Sequence, residues 1–260
     1  MTSTPRTGLI VAIAAAVLIV AVSVTVAVLV PDRGSVAGIA VAGPAAEPTA
    51  GPTTSASGAG STTSCVYNRA SDGPVGKDVG LPDNAGQAPD TGTVQFTLRT
   101  DQGDIPITLD RAKAPCAVHS LLFLAGKKYF DGTPCHRLTI VAGLKVLQCG
   151  DPSGSGYGGP GYQFDDELPS DLKPAGQGTV IYPTGTVAMA NAGPGTNGSQ
   201  FFLVYGDSQL PPSYPVLGSY TTAALTVIDK VVAGGVTAGE YREGDGKPKI
   251  PVTIQQAIVG

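Results

Sequence analysis

MANAGPGTNGSQFF, residues 189–202, sets a loop of small and polar residues directly against two adjacent phenylalanines. Three glycines lie in this loop: Gly193, Gly195 and Gly198. They can adopt backbone angles that other residues avoid, and Pro194 favours a turn. Because neighbouring side chains of a strand point to opposite faces, only one of Phe201 and Phe202 can enter the core. The other is expected to face a groove or solvent.

The segments on both sides carry strand and helix patterns. TVQFTLR at residues 93–99 alternates apolar and polar side chains, and IPITL at 105–109 does so again after a DQGD turn, which predicts a β-hairpin. Apolar residues at helical spacing predict one helix over 117–125 and a second over 222–232. Further strands are expected at CHRLTIV, KVLQC, GTVAMA, SQFFLVY, PVLGS and residues 250–259. Residues 92–260 therefore form one mainly β domain with two helices.

The first third of the chain has a different composition. Residues 8–30 carry no charge, and at about 1.5 Å per residue a helix of this length crosses a hydrocarbon core of about 30 Å. This predicts a transmembrane anchor after a short cytoplasmic tail at residues 1–7. A cleavable signal peptide is the alternative, although its apolar region is usually shorter. Residues 31–64, rich in Pro, Gly, Ser, Thr and Ala, are expected to be a disordered linker. Residues 65–91 are expected to be an irregular segment that packs on the domain.

The cysteines indicate the compartment. They are Cys65, Cys116, Cys135 and Cys149, and all four follow the apolar run. An even number of cysteines without a CxxC pair suits disulfides in an oxidising exterior. Four cysteines allow three connectivities, of which we favour Cys135 with Cys149 and Cys65 with Cys116. The expected location is the cell membrane, as a single-pass protein with its folded domain on the extracytoplasmic side.

Several functions are disfavoured by the composition. The formal net charge of −4, without a basic cluster, excludes a nucleic-acid partner. The chain has only His119 and His136, too few for a histidine metal site, and His119 is expected to be a structural or surface residue. Cys135 and His136 are adjacent on a strand and point to opposite faces, which disfavours a hydrolase. GDPSGSGYGGPGY lacks the GK[ST] ending of a phosphate-binding loop. We expect no metal and no cofactor.

Three segments together indicate a family. CHRL at residues 135–138, LQCGDPSGSGYGGPGYQFDDE at 147–167 and the stretch at 189–202 resemble the core motifs of the cyclophilins, the peptidyl-prolyl isomerases. The resemblance runs from about residue 93 to residue 260 in the same segment order. The N-terminal run, the linker and the cysteines are most similar to those of membrane-tethered bacterial cyclophilins. The resemblance implies a closed eight-stranded antiparallel barrel capped by two α-helices, with a peptide groove on its outer face.

The resemblance also implies roles for individual residues. The catalytic arginine of the family falls on Arg137, within the HR motif. Phe202 corresponds to the floor of the proline pocket. The other substrate-binding positions are Gln148, Val146, Ala190, Asn191, Gln200, Leu210 and Tyr214. The structural alternative for Arg137 is a surface strand arginine in a salt bridge.

The chain departs from the family pattern at two places. LTIVAGLKVL, residues 138–147, is slightly longer than the usual segment and lacks its Phe-Met pair, which leaves Lys145 and Val146 as approximate equivalents. The groove histidine of eukaryotic members is replaced by Tyr214, and their tryptophan by Gln209. Because that indole hydrogen-bonds cyclosporin in the family, weak cyclosporin binding is expected.

The implied activity is peptidyl-prolyl cis-trans isomerisation during the folding of exported proteins. Rotation of an X-Pro bond has a barrier of about 18–20 kcal/mol, and the twisted bond has a nitrogen lone pair that can accept a hydrogen bond. Arg137 is the expected donor. The partners are proline-containing polypeptides and, through the N-terminal helix, the membrane. The alternative is a proline-peptide-binding or chaperone module with little turnover, which the altered pocket would allow.

Overall fold

The computed structural model describes residues 60–70, 75–237 and 242–260. The predicted cytoplasmic tail, the predicted anchor and nearly all of the predicted linker lie outside these residues. Within the described ranges no helix combines the length and the apolar character needed to cross a membrane.

β-strands are the main regular element of the described chain. The strands are β1 (Thr62–Thr63), β2 (Tyr67–Arg69), β3 (Ala88–Pro89), β4 (Thr93–Thr100), β5 (Gly103–Asp110), β6 (Thr133–Pro134), β7 (Arg137–Thr139), β8 (Lys145–Cys149), β9 (Tyr162–Phe164), β10 (Lys173–Gly176), β11 (Thr179–Tyr182), β12 (Thr186–Met189), β13 (Phe201–Gly206), β14 (Ser208–Leu210), β15 (Val216–Tyr220), β16 (Asp245–Gly246) and β17 (Thr253–Val259). The helices are α1 (Pro115–Gly126) and α2 (Thr222–Ala233), with one 3₁₀ turn at Ala85–Gln87. The mainly β fold with two α-helices agrees with the sequence-based prediction.

One antiparallel sheet forms the body of the domain. Its ten strands lie in the order β16-β7-β8-β13-β12-β15-β5-β4-β17-β6. Helix α1 contacts β17 and β5, and α2 contacts β5 and β13, so both helices pack against the main sheet. A smaller sheet, β10-β11-β14, lies beside it.

The prediction of a closed eight-stranded barrel is wrong. Among the described residues the sheet has ten strands, and its end strands β6 and β16 are not paired with each other. The cause lies at Cys135 and His136, where the chain leaves β6, which pairs with β17, and enters β7, which pairs with β8. Cys135 and His136 therefore connect β6, at one end of the sheet, to β7, which lies next to the end strand β16. Pro134 also has no N–H to donate to a closing ladder.

The β4–β5 hairpin forms as its alternation predicts. Its register runs from Thr93 opposite Asp110 to Thr100 opposite Gly103. Side chains of the apolar set, such as Phe96 and Ile105, are almost fully buried in the main core. The alternation of apolar and polar residues in the sequence thus matches the alternation of side chains between the two faces of the sheet.

Two apolar clusters lie on opposite faces of β13. Phe201 is 1% exposed and belongs to the main core, where its ring meets Phe130 edge-on at 5.7 Å. Phe202 is 4% exposed and belongs to a second cluster on the other face. Val180 and Leu210, from the smaller sheet, pack on that second cluster. The two rings point to opposite faces of the strand, as predicted, but both are buried, because the second face of the sheet carries an apolar cluster of its own.

Residues 60–70 are attached to the domain by hydrogen bonds, a buried tyrosine and a disulfide. Strand β2 pairs with β9, and the buried Tyr67 donates its hydroxyl proton to the Cys116 carbonyl at 2.8 Å. His119 Nδ1 lies 2.9 Å from the same hydroxyl, which gives this histidine a structural role, as expected. The disulfides are Cys65–Cys116 and Cys135–Cys149, which confirms the favoured connectivity.

Candidate active site

A shallow cavity of about 190 Å³ lies on the outer face of the main sheet, above the second apolar cluster. It is lined by Arg137, Leu144, Val146, Gln148, Ala190, Asn191, Phe202, Leu210 and Tyr214. The structure therefore brings together every predicted site residue except Gln200, which lines a neighbouring cavity. None of the described lining residues is an Asp, Glu, His, Lys or Cys.

Arg137 is held at the edge of this cavity by the sheet and by a carboxylate. It lies directly opposite Gln148 in the β7–β8 register. Its Nε and Nη2 atoms each donate to a different oxygen of Asp245 at 2.8 Å, and Nη1 donates to Gln148 Oε1 at 3.1 Å. The Asp245 side chain is 2% exposed, whereas that of Arg137 is 31% exposed. Arg137 thus forms the ion pair of the structural alternative and also lines the cavity.

A chain of hydrogen bonds continues from the guanidinium across the site. Gln148 Nε2 donates to Gln200 Oε1 at 2.9 Å, and Gln200 Nε2 donates to the carbonyls of Gly156 and Gly158 at 2.9 and 3.0 Å. Because arginine has donors only, Gln148 must turn its oxygen toward Arg137, which fixes the orientation of both amides in turn. Gln200 is therefore a support for the site and lies outside the small cavity.

Aromatic and aliphatic side chains form the floor. The Tyr214 ring meets Phe202 edge-on, at 5.6 Å between centroids and an interplanar angle of 85°. Beneath them, Tyr182 is fully buried; its hydroxyl donates to the Tyr214 carbonyl at 3.0 Å and accepts from the Tyr214 N–H at 3.2 Å. Burial raises the pKa of Tyr182 to about 12. The hydroxyl of Tyr182 therefore remains protonated and fixes the segment that carries Tyr214.

The loop that follows Ala190 presents backbone to the cavity. The Asn191 side chain donates to the Ser213 carbonyl at 2.9 Å and accepts from the Gly193 N–H at 3.3 Å. Because its amide is committed to neighbouring loops, the backbone of Asn191 is the part offered to a ligand. Gly193 and Gly195 have φ of 130° and 71°, as predicted for this loop.

Gly198 differs from the other two glycines of the loop. It is not among the positive-φ glycines, so the prediction of an unusual backbone angle is wrong there. A Cβ at this position would lie 3.2 Å from Pro160 Cδ. Glycine is therefore favoured at position 198 because a side chain there would crowd the loop that carries Pro160.

Two functional residues were missed by the sequence reasoning. Leu144, and not Lys145, occupies the wall of the cavity, while Lys145 is exposed. The cause is a turn in the longer segment, where Val141 bridges to Leu144 and shifts the apolar side chain by one position. Asp245 is 108 residues from Arg137 in sequence and lies in a two-residue strand. No pattern in the sequence marks it.

Two titratable groups near the site have shifted pKa values, for different reasons. Burial lowers the pKa of His136, which is 8% exposed and lies behind Arg137. Burial alone would raise the pKa of Asp151, but hydrogen bonds from Ser153 and from the Gly158 N–H outweigh it and lower that pKa. The Asp151 carboxylate thereby orders the glycine-rich loop that accepts the amide of Gln200.

Comparison with known proteins gives a consistent result. The family model described as "Cyclophilin type peptidyl-prolyl cis-trans isomerase/CLD" matches residues 93–259. A "Probable peptidyl-prolyl cis-trans isomerase B" of Mycobacterium leprae is 49% identical over 67% of this chain and 60% of its own length. A protein with the same description from Mycobacterium tuberculosis is 47% identical over 75% of this chain and 63% of its own length. This chain thus spans about three fifths of the length of each relative.

A solved structure agrees with these relatives. A cyclophilin-type peptidyl-prolyl cis-trans isomerase of Cryptosporidium parvum, crystallised in the presence of the dipeptide Ala-Pro, superposes with a TM-score of 0.52 at 27% identity. The superposition covers 64% of this chain and 98% of that one.

Proposed function

Because the chain belongs to the cyclophilin-type peptidyl-prolyl cis-trans isomerase family, we propose that it catalyses the cis-trans isomerisation of X-Pro bonds, with Arg137 as the catalytic residue. One observation carries the proposal: a guanidinium held by Asp245 and Gln148 shares a cavity with the apolar floor of Phe202. The reaction requires these two groups, a fixed hydrogen-bond donor and an apolar surface that holds the proline ring.

The reaction needs no covalent intermediate. When the X-Pro bond twists out of plane, its nitrogen loses conjugation and becomes a hydrogen-bond acceptor. A donor aimed at that nitrogen stabilises the twisted form more than either planar form, which lowers the barrier. An acceleration of about 10⁵ requires roughly 7 kcal/mol. A charge-assisted hydrogen bond from Arg137, together with a ring already held in place, is the proposed source.

The remaining residues would hold the substrate. Phe202, Val146, Leu210 and Tyr214 would enclose the proline ring, together with Leu144. Gln148 and the backbone of Ala190 and Asn191 would bind the flanking peptide units. The Ala-Pro dipeptide present with the Cryptosporidium parvum relative supports a proline-containing ligand for this groove.

A comparison of wild-type protein with Arg137→Ala and Arg137→Lys tests the catalytic role. The full chain, in detergent, is assayed for isomerisation of an Ala-Pro peptide and for affinity to the same peptide. We expect activity to fall at least a hundredfold in Arg137→Ala while peptide affinity changes less than threefold. Arg137→Lys should restore little of the isomerase activity, because lysine lacks the planar set of donors that arginine has. Arg99→Ala, which removes an exposed arginine paired with Asp104 at 3.8 Å, is the matched control.

Equal activity in wild type and Arg137→Ala would remove Arg137 from the mechanism. Tight peptide binding with no turnover in the wild type would favour the alternative, a proline-peptide-binding or chaperone module.

We further propose that the substrates are exported proteins and that residues 8–30 anchor the chain in the cell membrane with the domain outside. Support comes from the uncharged run and from two disulfides, which form in oxidising compartments. Protease treatment of intact cells should digest the domain if this is correct. Recovery of the intact domain, or its release in a high-salt wash, would contradict it.

A further inference from the structure

The glycine-rich loop that follows β8 is folded around one carboxylate. The Asp151 side chain is buried. Its oxygens accept hydrogen bonds from the N–H groups of Ser153, Gly156 and Gly158 at 2.8, 2.7 and 3.1 Å. The hydroxyls of Ser153 and Ser155 donate to the same carboxylate at 2.7 to 3.1 Å. Because hydrogen bonds to a charged group are the strong ones, Asp151 holds this loop in one shape.

Two residues of the loop face both the carboxylate and the candidate active site. The N–H groups of Gly156 and Gly158 donate to Asp151. The carbonyls of the same two glycines accept from Gln200 Nε2 at 2.9 and 3.0 Å. The position of the carboxylate therefore sets the position of the two acceptors that hold Gln200.

Gln200 passes this constraint on to the guanidinium. Its Oε1 accepts from Gln148 Nε2 at 2.9 Å, and Gln148 Oε1 accepts from Arg137 Nη1 at 3.1 Å. An amide that is bound at both ends is fixed, whereas an amide that loses one partner can turn its oxygen and nitrogen around. Release of Gln200 would thus let Gln148 turn an NH₂ group toward Arg137, which has donors only.

The contact between the loop and the carboxylate leaves no space for a side chain at position 158. A Cβ on Gly158 would lie 2.1 Å from Asp151 Oδ1 and 2.9 Å from Ser153 Oγ. A Cβ on the adjacent Gly159 would meet nothing within 4 Å in the described part of the chain, apart from its own neighbours in sequence. Neither glycine has a positive φ, so alanine is compatible with the backbone at both positions. The two glycines therefore allow the contact with Asp151 to be tested separately from an added methyl group.

We propose that Asp151 is a positioning residue for isomerisation, which acts on Arg137 through the glycine-rich loop, Gln200 and Gln148. The proposal rests on the proposed function, because it concerns turnover of the same X-Pro bond. It gives a role in turnover to a carboxylate that does not line the cavity of the candidate active site.

The test compares kcat and KM for an Ala-Pro peptide in Asp151→Asn and Gly158→Ala, each as the full chain in detergent. Asparagine keeps one acceptor and turns an NH₂ group toward the donors of the loop. Gly158→Ala keeps the charge but pushes the loop away from it. In each variant we expect kcat to fall about tenfold and KM to change less than about threefold, since the donor is displaced while the floor around Phe202 is untouched. Gly159→Ala, the matched control, should keep the wild-type kcat.

Glu167→Gln controls for a loss of stability alone. Glu167 also accepts hydrogen bonds from backbone N–H groups, those of Cys116 and Ala117, at 2.9 Å, but these lie at the start of α1. This variant should lower Tm and keep the wild-type kcat at a temperature well below that Tm.

A double-mutant cycle with Gln200→Ala identifies the route of the effect. In that background Asp151→Asn should cost no further kcat, because the residue through which it acts is gone. The proposal is overturned by a wild-type kcat in Asp151→Asn, by an equal loss in both backgrounds, or by losses in the two controls as large as those in Asp151→Asn and Gly158→Ala.

The side-chain amide NMR signals of Gln148 and Gln200 report on the same contacts without any turnover. Both should shift in Asp151→Asn and stay unchanged in Glu167→Gln; unchanged signals in Asp151→Asn would also overturn the proposal. If the wild type does not isomerise the peptide while Asp151→Asn still shifts these signals, the proposed function fails and the link from Asp151 to Gln148 stands.

Discussion

Replacing Asp245 by asparagine should slow isomerisation while leaving peptide affinity nearly unchanged. Asp245 does not line the cavity, but both of its oxygens accept hydrogen bonds from Arg137 at 2.8 Å. Asparagine keeps one acceptor and turns an NH₂ group toward a guanidinium that can only donate. One of the two bonds is therefore replaced by a repulsive contact, and the guanidinium should leave its fixed position.

The magnitude follows from the burial of this pair. The Asp245 side chain is 2% exposed, so water cannot replace the lost partner. Hydrogen bonds to charged groups contribute about 1.5–3 kcal/mol, so the free energy of unfolding should fall by roughly 2–3 kcal/mol. For a domain of this size that corresponds to a decrease in Tm of about 5–10 °C. A displaced donor should lower kcat about 10- to 100-fold, equivalent to about 1.4–2.8 kcal/mol.

The assay is steady-state isomerisation of an Ala-Pro peptide at a temperature well below the lowered Tm. We expect KM to change less than threefold, because the floor around Phe202 is untouched. Asp104→Asn is the matched control, since its pair with Arg99 is long, at 3.8 Å, and about half exposed. Surface pairs of this kind contribute about 0–1 kcal/mol, so the control should keep the wild-type rate.

A double-mutant cycle decides whether the effect acts through Arg137. In an Arg137→Ala background, Asp245→Asn should cost no further activity, because the group that it positions is gone. A wild-type kcat for Asp245→Asn, or an equal loss in both backgrounds, would refute the positioning argument.

Other predictions concern stability and inhibition. Burial lowers the pKa of His119 and His136 below the ordinary value of 6.5, so the unfolded chain binds more protons than the folded chain in mild acid, and Tm should fall as pH falls below about 6.5. Replacing both histidines by glutamine should make this fall in Tm smaller. The kcat of the wild type should not change between pH 7 and pH 9. Cys135→Ala/Cys149→Ala should cost about 3 kcal/mol, and Cys65→Ala/Cys116→Ala about 4 kcal/mol, in urea unfolding, since the loops close over separations of 14 and 51 residues; a larger loss for the shorter loop would contradict the loop-entropy argument. Cyclosporin should inhibit the isomerase activity only weakly, and Gln209→Trp should make this inhibition stronger. Nanomolar inhibition of the wild type would show that the tryptophan is not needed for cyclosporin binding.

Local patterns in the sequence predicted the regular parts of the fold. The alternation in β4 and β5 gave the hairpin because one face of each strand is buried. Both helices were predicted to within two residues of their observed ends, since each buries an apolar face against the sheet. Strand β10 carries no such signal, because its residues are mostly exposed and its pairing depends on β11.

Long-range features could not be predicted in the same way. The motifs placed Arg137 and Phe202 in one groove, but the carboxylate that holds Arg137 comes from a distant two-residue strand with no motif of its own. The open sheet results from a local switch of partners at Cys135, which strand patterns do not encode. The contacts of Ala70 and Gly76 with the glycine-rich loop are backbone hydrogen bonds, and the Cys65–Cys116 disulfide joins the same part of the chain to α1, so no side-chain pattern predicts them.

The Cys65–Cys116 bridge has a further consequence for how the chain tolerates cleavage. A protease that cut the backbone between these two cysteines would leave both fragments covalently joined. Such a nicked molecule would migrate at its full mass on a non-reducing gel and separate only after a reductant is added. Cleavage in this part of the chain would therefore be detected only after the disulfide is reduced.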